Sequence, residues 1–345
     1  MKSAYITKHG DLDDITVGQL DDPEISHDEI LVRGKFAALN HLDSFVVKGW
    51  KGLDLTFPHV LGSDGSGIVL QTGEAVSTIQ EGDCILANPG LSCMKCYQCL
   101  SGTQNLCSDF SIIGEHANGT FSTVFKIPEV NALKVPRTFP LDMAAAAPLT
   151  FLTAWRMLTN RAKVKQGQTV FIHGAGGGVA TAAIQIAKAH GATVIVTTST
   201  PAKMEMARKL GADHVLNYKT NQVYDKEVYI KITKKKGVDI VIDSVGSPTF
   251  SKSLRLLRKD GILVTCGATA GQEATIDIRQ IFWKQVRVLG STMANQAEFR
   301  DAMNFILEGR GTPVISKVFS LDDIVDAERY LLSEDSFGKV LIQIS

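Results

Sequence analysis

The chain has 345 residues, and its 36 Lys and Arg balance 36 Asp and Glu, so the formal net charge is zero. This length predicts about two domains, each able to bury a core. The balanced charge provides no long-range field for nucleic acid or an anionic membrane, so neither is expected as a partner. No apolar run approaches the ~20 residues that a bilayer requires. The N-terminal segment turns acidic early and predicts no signal peptide, so a cytoplasmic protein is expected.

The first ~150 residues contain short β segments that Gly, Pro and Asp interrupt. Such spacing is typical of a largely antiparallel, barrel-like domain. The predicted strands are Ile30–Lys35, Gly67–Gln71, Asp83–Ala87 and Phe121–Ile127.

Four of the six cysteines lie within one short segment of this region, with the spacing C-x2-C-x2-C-x7-C: Cys93, Cys96, Cys99 and Cys107. Four thiolates on a tight loop close a tetrahedral site without an open position, which is typical of a structural zinc. A ferredoxin-type iron–sulfur cluster agrees with the first three cysteines only. One structural zinc per chain is therefore predicted, in a lobe at about residues 88–110. Cys84 and Cys266 stand alone in apolar contexts and are expected to be small buried side chains.

From about residue 141 the pattern changes to alternating helices and strands. Two helices are predicted first, at Asp142–Ala147 and Phe151–Asn160. Apolar strands without period-2 alternation then alternate with amphipathic helices, which indicates a parallel sheet covered on both faces. The strands are Thr169–His173, Thr193–Thr198, Asp239–Asp243 and Gly261–Cys266, and the helices are Gly178–His190, Pro201–Leu210 and Pro248–Lys259. The prediction is an α/β fold: a doubly wound parallel domain, 151–289, inserted in a barrel-like domain formed by 1–150 and 290–345.

A glycine-rich turn joins the first strand of the parallel domain to its helix. It matches G-x-G-x-x-G/A through Gly174, Gly176 and Gly177, or a second register through Gly174, Gly177 and Ala180. In either register, backbone without Cβ atoms can approach a pyrophosphate at a helix N-terminus. The strand and helix around the turn support a dinucleotide site. The predicted contacts there are Gly174, Gly176, Gly177, Gly178 and Val179, together with Gly267 after a later strand.

The next strand bears on the choice of coenzyme. An NAD site usually has Asp or Glu about 20 residues after the turn, but this chain has Val196–Thr200 without an acid, and then Lys203. Hydroxyl groups, as on Ser199, and an ammonium can bind a 2′-phosphate, so NADP(H) is favoured over NAD(H). Alternatively, Lys203 lies on a solvated helix face.

These features together resemble the medium-chain dehydrogenase/reductase superfamily, which includes zinc alcohol dehydrogenases and quinone oxidoreductases. The resemblance covers essentially the whole chain and implies a GroES-like catalytic domain, a Rossmann domain and a cleft between them, usually in a homodimer or homotetramer. It also implies that Lys203 and Tyr218 contact the 2′-phosphate. Its carriers are Ala38–Asp43, Pro58–Gly67, Gly82–Asp83, the four cysteines, Leu152–Trp155, Gly174–Ala180 and Phe337–Val340.

The chain departs from the zinc alcohol dehydrogenases where they hold a catalytic zinc. The matching positions are Asn40, Ser63 (with Asp64 beside it) and Leu149. An amide, a hydroxyl and an alkyl group do not replace thiolate and imidazole ligands. The catalytic zinc is therefore expected to be absent, and these positions resemble those of the quinone oxidoreductases, in which the matching Asn lies near the nicotinamide.

Without a Lewis acid, reduction depends on positioning and on hydrogen bonds to a developing oxyanion. A small-molecule enone or quinone suits this chemistry, since hydride from the nicotinamide can enter at the β-carbon while charge spreads to the carbonyl. The candidate catalytic residues are Asn40 as amide donor, Asp43 as the residue that orients its loop, and Thr153 near the ring. Asp43 could equally be a cap residue.

Two alternatives remain open. In the first, an alcohol dehydrogenase holds its catalytic metal through substitutes among His41, His59, Ser63 and Asp64. His41, His59 and His116 are also candidate acids, although a single His is more often structural. In the second, the chain binds NADPH without catalysis, because a fold alone does not fix function. Trp50, Phe57 and Trp283 are candidates for the lining of an apolar substrate cleft, although single aromatic residues more often belong to a core.

Overall fold

The computed structural model describes residues 1–345, and the chain divides into two compact units. Met1–Leu149 and Ala294–Ser345 form a β-rich unit, and Thr150–Met293 forms an α/β unit. The chain re-enters the β-rich unit at Ala294, four residues later than the sequence places it. None of the helices has both the length and the apolar composition that crossing a membrane demands.

The N-terminal part of the β-rich unit is built mainly from short strands. Its strands are β1 (Lys2–Ile6), β2 (Thr16–Gln19), β3 (Glu29–Ala38), β4 (His59–Val60), β5 (Asp64–Thr72), β6 (Cys84–Ala87), β7 (Gly90–Leu91), β8 (Ser111–Ile112), β9 (Val124–Pro128) and β10 (Ala132–Lys134). Its helices are α1 (His41–Lys48), α2 (Tyr97–Leu100) and α3 (Leu141–Ala146), with 3-10 turns at Leu12–Asp14, Gln104–Leu106 and Glu129–Asn131.

The α/β unit alternates helices with strands. Its helices are α4 (Pro148–Trp155, which begins two residues before the unit), α5 (Gly178–Ala189), α6 (Pro201–Lys209), α7 (Tyr224–Glu227), α8 (Ser247–Leu256) and α9 (Arg279–Lys284), with π-helical turns at Arg156–Arg161 and Val228–Ile232. Its strands are β11 (Thr169–Ile172), β12 (Thr193–Thr198), β13 (His214–Asn217), β14 (Val238–Asp243), β15 (Leu257–Thr265) and β16 (Arg287–Gly290).

The remainder of the chain completes the β-rich unit. It contributes α10 (Gln296–Leu307), β17 (Ile315–Ser320), a 3-10 turn at Leu321–Asp323, α11 (Ile324–Leu332) and β18 (Lys339–Gln343). The last strand lies inside a seven-stranded sheet of order β10-β6-β5-β3-β18-β17, in which β9 also pairs with β3. A three-stranded sheet, β2-β1-β4, and the β7-β8 pair complete the strand pairing. The core beside α1 and α11 includes Val46, Leu61, Phe121, Ile324 and Ile342.

The α/β unit has a single parallel sheet of order β13-β12-β11-β14-β15-β16. In the order of the strands along this unit that is 3-2-1-4-5-6, the arrangement of dinucleotide-binding doubly wound sheets. The order reverses between β11 and β14, and ligands of such folds bind outside the carboxyl ends of strands at this switch point. The expected α/β fold with an inserted parallel sheet is confirmed.

Some local predictions were wrong. The sequence reading gave no helix at 41–48, where Asn40 caps α1. It extended one helix to Lys259, whereas α8 ends at Leu256 and β15 begins at Leu257. Leu256 and Leu257 are both fully buried, and the chain passes directly from the helix into the strand between them. The apolar periodicity of the helix therefore does not show where the helix ends.

Candidate active site and thiol cluster

The thiol cluster brings together the four predicted cysteines. Their sulfur atoms all lie within 4.8 Å of one another. The Sγ–Sγ distances are 3.9 Å for Cys93 and Cys99, 3.7 Å for Cys96 and Cys107, and 3.5 Å for Cys93 and Cys107. A tetrahedral ion with Zn–S bonds of ~2.3 Å places its sulfurs about 3.8 Å apart. The cluster therefore fits a four-thiolate zinc, and the four residues present would hold it without an open position.

Backbone N–H groups also point at the cluster. The N–H of Cys96 donates to Sγ of Cys93 at 3.4 Å, and that of Asp109 donates to Sγ of Cys107 at 3.3 Å. Backbone donors lower the pKa of Cys93 to about 6, whereas burial raises the pKa of Cys99 to about 11. A metal binds the thiolate form, so these N–H groups stabilise the charge that the ligands would carry.

Asn40 lies at the N-terminus of α1, where it forms a capping box with Asp43. The Asn40 N–H donates to Oδ2 of Asp43 at 2.7 Å, which satisfies a backbone donor that the helix leaves without a partner. The Asn40 side chain donates from Nδ2 to Oδ2 of Asp64 at 2.9 Å and to the carbonyl oxygen of Ala38 at 3.3 Å. The amide is thus held in one orientation, and the longer bond to Ala38 is its weaker one.

A buried ammonium completes this arrangement. Nζ of Lys339, on β18, donates to Oδ1 of Asn40 at 2.6 Å, to the carbonyl oxygen of Leu39 at 2.7 Å and to Oδ2 of Asp64 at 2.9 Å. Lys339 is 3% exposed and Asp64 is 0% exposed, so the charges are paired away from water. Oδ1 of Asp64 accepts the backbone N–H of Leu149 at 2.8 Å. We call Asn40, Asp64 and Lys339 the ammonium cluster.

Sequence reasoning missed Lys339 as a site residue, although Phe337–Val340 was among the segments that carry the resemblance. A lysine in a strand gives no sign that its side chain turns inward. The useful signal is the apolar run that surrounds it, since β18 is buried at four of its five positions.

The ammonium cluster bears directly on the expected absence of a catalytic metal. The oxygens of Asn40 and Asp64 already accept hydrogen bonds from the ammonium, so a divalent cation would have to displace a covalently attached charge. The hydroxyl of Ser63 is buried without a hydrogen-bond partner. The cysteine cluster is the one group of three or more His, Cys, Asp or Glu side chains that lies close enough to hold a metal.

Two further carboxyl groups lie near the cluster. Burial is the main cause that raises the pKa of Asp43 to about 7, and the neighbouring charge of Asp64 adds to it. Glu328, on α11, is completely buried, and neither carboxyl oxygen has a hydrogen-bond partner. Burial, and then the charge of Asp43, raises its pKa well above the usual range. These carboxyl groups therefore hold protons at a pH where exposed ones have lost them.

The three candidate histidines have separate environments. His59 is 2% exposed, and its Nε2 lies 3.2 Å from the carbonyl oxygen of Gly114. Burial lowers the pKa of both His41 and His59, and the charge of Lys339 adds to this effect at His41. His116 is largely exposed beside Glu115. None of the three belongs to a cluster of metal-ligating side chains.

In the α/β unit, the glycine turn lies at the carboxyl end of β11. Gly174 has φ +68°, a conformation that favours glycine. Its N–H donates to Oγ1 of Thr197 at 3.3 Å, and the N–H of Ala175 donates to the Thr197 carbonyl at 2.8 Å. A Cβ on Gly177 would meet nothing nearer than 3.8 Å, so the turn has an open side at the N-terminus of α5. Open glycine backbone at a helix N-terminus fits a pyrophosphate.

The residues predicted to distinguish the coenzymes lie where β12 and β13 end. Thr200 caps α6 by accepting the Lys203 N–H at 3.3 Å. The backbone N–H of Tyr218 donates to the Thr198 carbonyl at 3.0 Å, which joins the two strand ends. Ser199 and Lys203 are each 8% exposed, whereas Tyr218 is 41% exposed. Lys203 therefore does not lie on a solvated helix face.

A cavity of about 500 Å³ lies farther along the same edge of the sheet. Its lining includes Gly246, Cys266, Gly267, Ser291 and Thr292. The nearest neighbour of a Cβ on Gly174 would be Val245, at 3.6 Å, so the loop after β14 lies between the glycine turn and this cavity. Predicted contact Gly267 therefore lines a space that a bound dinucleotide could enter.

The other predicted residues lie in different parts of the chain. Thr153 is buried in α4 of the α/β unit, whereas Asn40 and Asp43 belong to the β-rich unit. Trp50 and Phe57 are 42% and 37% exposed in the β-rich unit. Trp283 is 74% exposed on α9.

Comparisons with known proteins identify the family. The residues 26–137 match the alcohol dehydrogenase GroES-like domain, and the residues 178–308 match the zinc-binding dehydrogenase family. A zinc-type alcohol dehydrogenase-like protein from Schizosaccharomyces pombe is 33% identical over 322 residues, which cover 92% of this chain and 91% of the relative. The chain belongs to the medium-chain dehydrogenase/reductase superfamily.

Two other members of the superfamily show the range of named activities among similar proteins. Acryloyl-coenzyme A reductase from Metallosphaera sedula is 28% identical over 327 residues, covering 94% of this chain and 95% of the relative. The crystal structure of an NAD-dependent alcohol dehydrogenase is 40% identical with a TM-score of 0.96, and the match covers 100% of both chains. As a medium-chain dehydrogenase/reductase, this chain is an NAD(P)-dependent oxidoreductase with a zinc-binding dehydrogenase domain.

Proposed function

We propose that this protein reduces a carbon–carbon double bond conjugated to a carbonyl, with NADPH as hydride donor and without a catalytic zinc. The observation that carries the proposal is the ammonium cluster. At or beside the positions that match the catalytic-zinc ligands of alcohol dehydrogenases, the Lys339 ammonium donates hydrogen bonds to Oδ1 of Asn40 and Oδ2 of Asp64. Thiolate and imidazole ligands are absent from these positions.

The coenzyme would supply a hydride from C4 of its nicotinamide to the β-carbon of the substrate. Negative charge then develops on the carbonyl oxygen. A proton from solvent adds at the α-carbon of an enone or enoyl thioester, whereas a quinone takes its proton on oxygen and becomes a hydroquinone. We assign Asn40 as the amide donor to that oxygen, through the hydrogen that its 3.3 Å bond to Ala38 holds weakly. Lys339 and Asp64 fix the amide, Asp43 orients its backbone, and Thr153 is proposed to lie near the nicotinamide.

The named activities of the relatives support a class of substrate, one with an activated double bond, more than a particular molecule. Acryloyl-CoA carries a double bond conjugated to a thioester carbonyl, which matches the class of substrate that a site without a Lewis acid can reduce. Enones, quinones and enoyl thioesters are therefore the proposed substrates.

Selectivity for NADPH is proposed on the residues that end β12. The segment Val196–Thr200 has no carboxylate to repel a 2′-phosphate, and Ser199 and Lys203 follow at the strand end. Tyr218 lies at the end of the neighbouring strand. The cysteine cluster is proposed to hold one structural zinc per chain.

A homodimer or homotetramer is proposed on the exposed edge of the parallel sheet. Strand β16 pairs only with β15. Exposed apolar side chains lie on this strand, on helix α9 and at the residue that precedes the helix: Val288, Phe282, Trp283 and Ile278. An unpaired edge with exposed aromatic groups is a suitable surface for a second copy of the chain.

A zinc-dependent alcohol dehydrogenase is the second candidate, favoured by the 40% identity to the solved NAD-dependent alcohol dehydrogenase. Metal analysis combined with a substrate panel distinguishes the two. We expect one zinc per chain, and NADPH oxidation with 2-cyclohexenone, benzoquinone or crotonyl-CoA that a chelator of labile zinc does not abolish. Two zinc ions per chain, with chelator-sensitive oxidation of secondary alcohols, would establish the second candidate instead. NADPH binding with no turnover of any substrate would point to a non-catalytic protein.

The coenzyme preference has its own test. Ser199→Asp places a carboxylate beside the proposed phosphate site, and we expect the ratio of kcat/KM for NADPH to that for NADH to fall about 10- to 100-fold. Thr193→Asp, at the exposed opposite end of β12, is the matched control. An unchanged ratio in the Ser199 variant would remove that residue from the phosphate site.

A further inference from the structure

Four buried polar side chains at the switch point of the parallel sheet have no role in the function proposed above. His173 immediately follows β11, and Asp243 is the last residue of β14. Ser253 on α8 and Tyr224 on α7 contact His173. Their exposed fractions are 1% for His173, 0% for Asp243, 0% for Ser253 and 2% for Tyr224. Buried polar groups are retained only where hydrogen bonds compensate their lost hydration.

The hydrogen bonds form one chain. Nε2 of His173 lies 2.9 Å from Oγ of Ser253, and this hydroxyl donates to Oδ2 of Asp243 at 2.8 Å. At the other side of the ring, Nδ1 of His173 lies 3.4 Å from the hydroxyl of Tyr224. We call these four residues the switch-point network.

The carboxylate sets the direction of every bond in the network. The Asp243 oxygens can only accept, so the single Ser253 proton is drawn to Oδ2 in preference to the Thr249 carbonyl at 3.1 Å. Ser253 must then accept from His173, which places the ring proton on Nε2. Nδ1 is left as the acceptor for the Tyr224 hydroxyl.

Both ends of the network hold loops of the coenzyme site. His173 directly precedes Gly174, the first glycine of the turn. Oδ1 of Asp243 accepts the N–H groups of Val245 and Gly246 at 2.9 and 3.1 Å, and the Thr249 hydroxyl at 2.9 Å. Gly246 lines the 500 Å³ cavity, and its φ of +92° leaves no room for a Cβ, which would lie 2.4 Å from the Gly271 carbonyl.

We infer that Ser253, by bridging His173 and Asp243, is a positioning residue for coenzyme binding that holds the glycine turn and the 243–247 loop in the geometry that the dinucleotide requires. The inference deepens the proposed function, since it rests on coenzyme binding at this sheet edge. It does not depend on the substrate or on the metal content. Its failure and that of the proposed function are therefore separable, because coenzyme affinity can be measured without turnover.

The ring of His173 also provides a readout that a purely structural serine would not affect. Burial lowers the pKa of His173 to about 4, and the charge of Lys252 acts in the same direction. The charges of Asp243 and Asp225 act in the opposite direction. Asp225 is paired with Arg255 at 2.8 Å, and Nζ of Lys252 lies over the Tyr224 ring. Nε2 of His173 is 4.0 Å from Oδ2 of Asp243. Without the intervening hydroxyl, the ring and carboxylate face each other directly, and the ring becomes easier to protonate.

The test measures the Kd of NADPH and NADH for the purified, full-length protein between pH 5 and 8. The principal variant is Ser253→Ala. The matched control is Ser251→Ala, which removes a half-buried hydroxyl on the same helix that accepts from Arg255 at 3.0 Å and does not bond to His173 or Asp243. We expect Ser253→Ala to raise Kd for both coenzymes about 10-fold or more, with kcat at saturating coenzyme changed less than threefold. Its affinity should fall further as pH decreases from 7 to 5, relative to the control. NADH, which lacks the 2′-phosphate, separates this effect from titration of the ligand.

Tyr224→Phe is a second variant, which removes only the hydrogen bond to Nδ1 of His173. It tests the inference if Ser253→Ala does not fold. It should raise Kd about two- to fivefold. A folded Ser253→Ala protein that binds coenzyme within twofold of the Ser251→Ala control at every pH would overturn the inference. If Ser253→Ala is unfolded, an unchanged Kd in Tyr224→Phe would overturn it.

Discussion

The β-rich unit contains two clusters of polar or ionisable side chains, the cysteine cluster and the ammonium cluster, and the two differ in the origin of the positive charge that each would hold. The cysteine cluster offers four sulfurs within 4.8 Å of one another, which are ligands for a metal ion. In the ammonium cluster the cation is part of the chain: it is the Lys339 ammonium, which donates hydrogen bonds to Asp64 and Asn40. The first arrangement depends on an ion from solution, whereas the second forms with the fold alone. A built-in cation positions an amide but has no open coordination position to polarise a substrate.

The largest expected effect tests the dependence of the cysteine cluster on an ion. Cys99→Ser should lower bound zinc from about one per chain to near zero and should lower the melting temperature. The reason is that the lobe would lose the ion that joins its four cysteines, and binding of a structural zinc contributes directly to folding free energy. Zinc content by mass spectrometry and thermal unfolding measure both effects. Cys84→Ser, which alters a cysteine outside the cluster, should retain the zinc. A zinc-replete Cys99→Ser protein would mean that the cluster does not use all four thiols.

The next largest effect tests how much the Lys339 ammonium, as the cation of the ammonium cluster, contributes to the free energy of unfolding. Lys339→Met leaves the buried carboxylate of Asp64 without its partner, which should cost about 3–5 kcal/mol of unfolding free energy. Adding Asp64→Asn should recover part of this loss, because the unpaired charge is removed as well. Denaturant unfolding gives the values, with Lys48→Met on the exposed end of α1 as the control. A loss below about 1 kcal/mol in Lys339→Met would show that the ion pair is replaceable by ordinary packing.

A smaller effect concerns the protons near the ammonium cluster. The pKa of Glu328 is raised in the folded protein, so the folded state retains a proton that the unfolded state loses above its ordinary pKa. The stability contributed by this group is therefore present at low pH and declines as pH rises toward the folded pKa. Glu328→Gln should remove the decline and be more stable than the parent protein at pH 8, but not at pH 5. Unfolding free energies at the two pH values measure this, with exposed Glu308→Gln as the control. Parallel pH profiles would contradict the assigned direction.

The smallest effect concerns Ser63, the residue before Asp64. Its hydroxyl is buried and unpartnered, so Ser63→Ala should leave stability within about 0.5 kcal/mol or increase it slightly. Metal content and the rate of NADPH oxidation should also be unchanged. A marked loss of stability or of zinc would show that this hydroxyl binds something important to the protein.

Sequence reasoning and structure agree best where local pattern decides the outcome. The cysteine spacing, the glycines from Gly174 and the alternation of apolar strands with helices all act over a few residues. They predicted the convergence of the four thiols, the glycine turn before a helix and the parallel sheet. The missed features join distant segments. Lys339 meets Asp64 across 275 residues, and His173 meets Ser253 across 80. Nothing in either neighbourhood indicates the partner, because such contacts depend on strand order and on side-chain direction.

The missed helix at 41–48 has a different cause. Helix α1 is short, and its sequence contains the β-branched pair Val46–Val47. Its formation depends on the capping box of Asn40 and Asp43 and on burial of Val46 and Val47 in the core. The residues that make Asn40 a candidate for chemistry are thus the ones that begin the helix, and a sequence alone does not separate the two roles.

Strand β18 sits between β3 and β17, although almost the whole chain is synthesised before it. The α/β unit is one continuous stretch, Thr150–Met293, and can fold while the nascent chain is still being extended. The β-rich unit must wait for Lys339–Gln343 to fill the gap in its sheet. A chain truncated before these residues would therefore keep the continuous α/β stretch but would lack both Lys339 and the strand that fills the gap between β3 and β17.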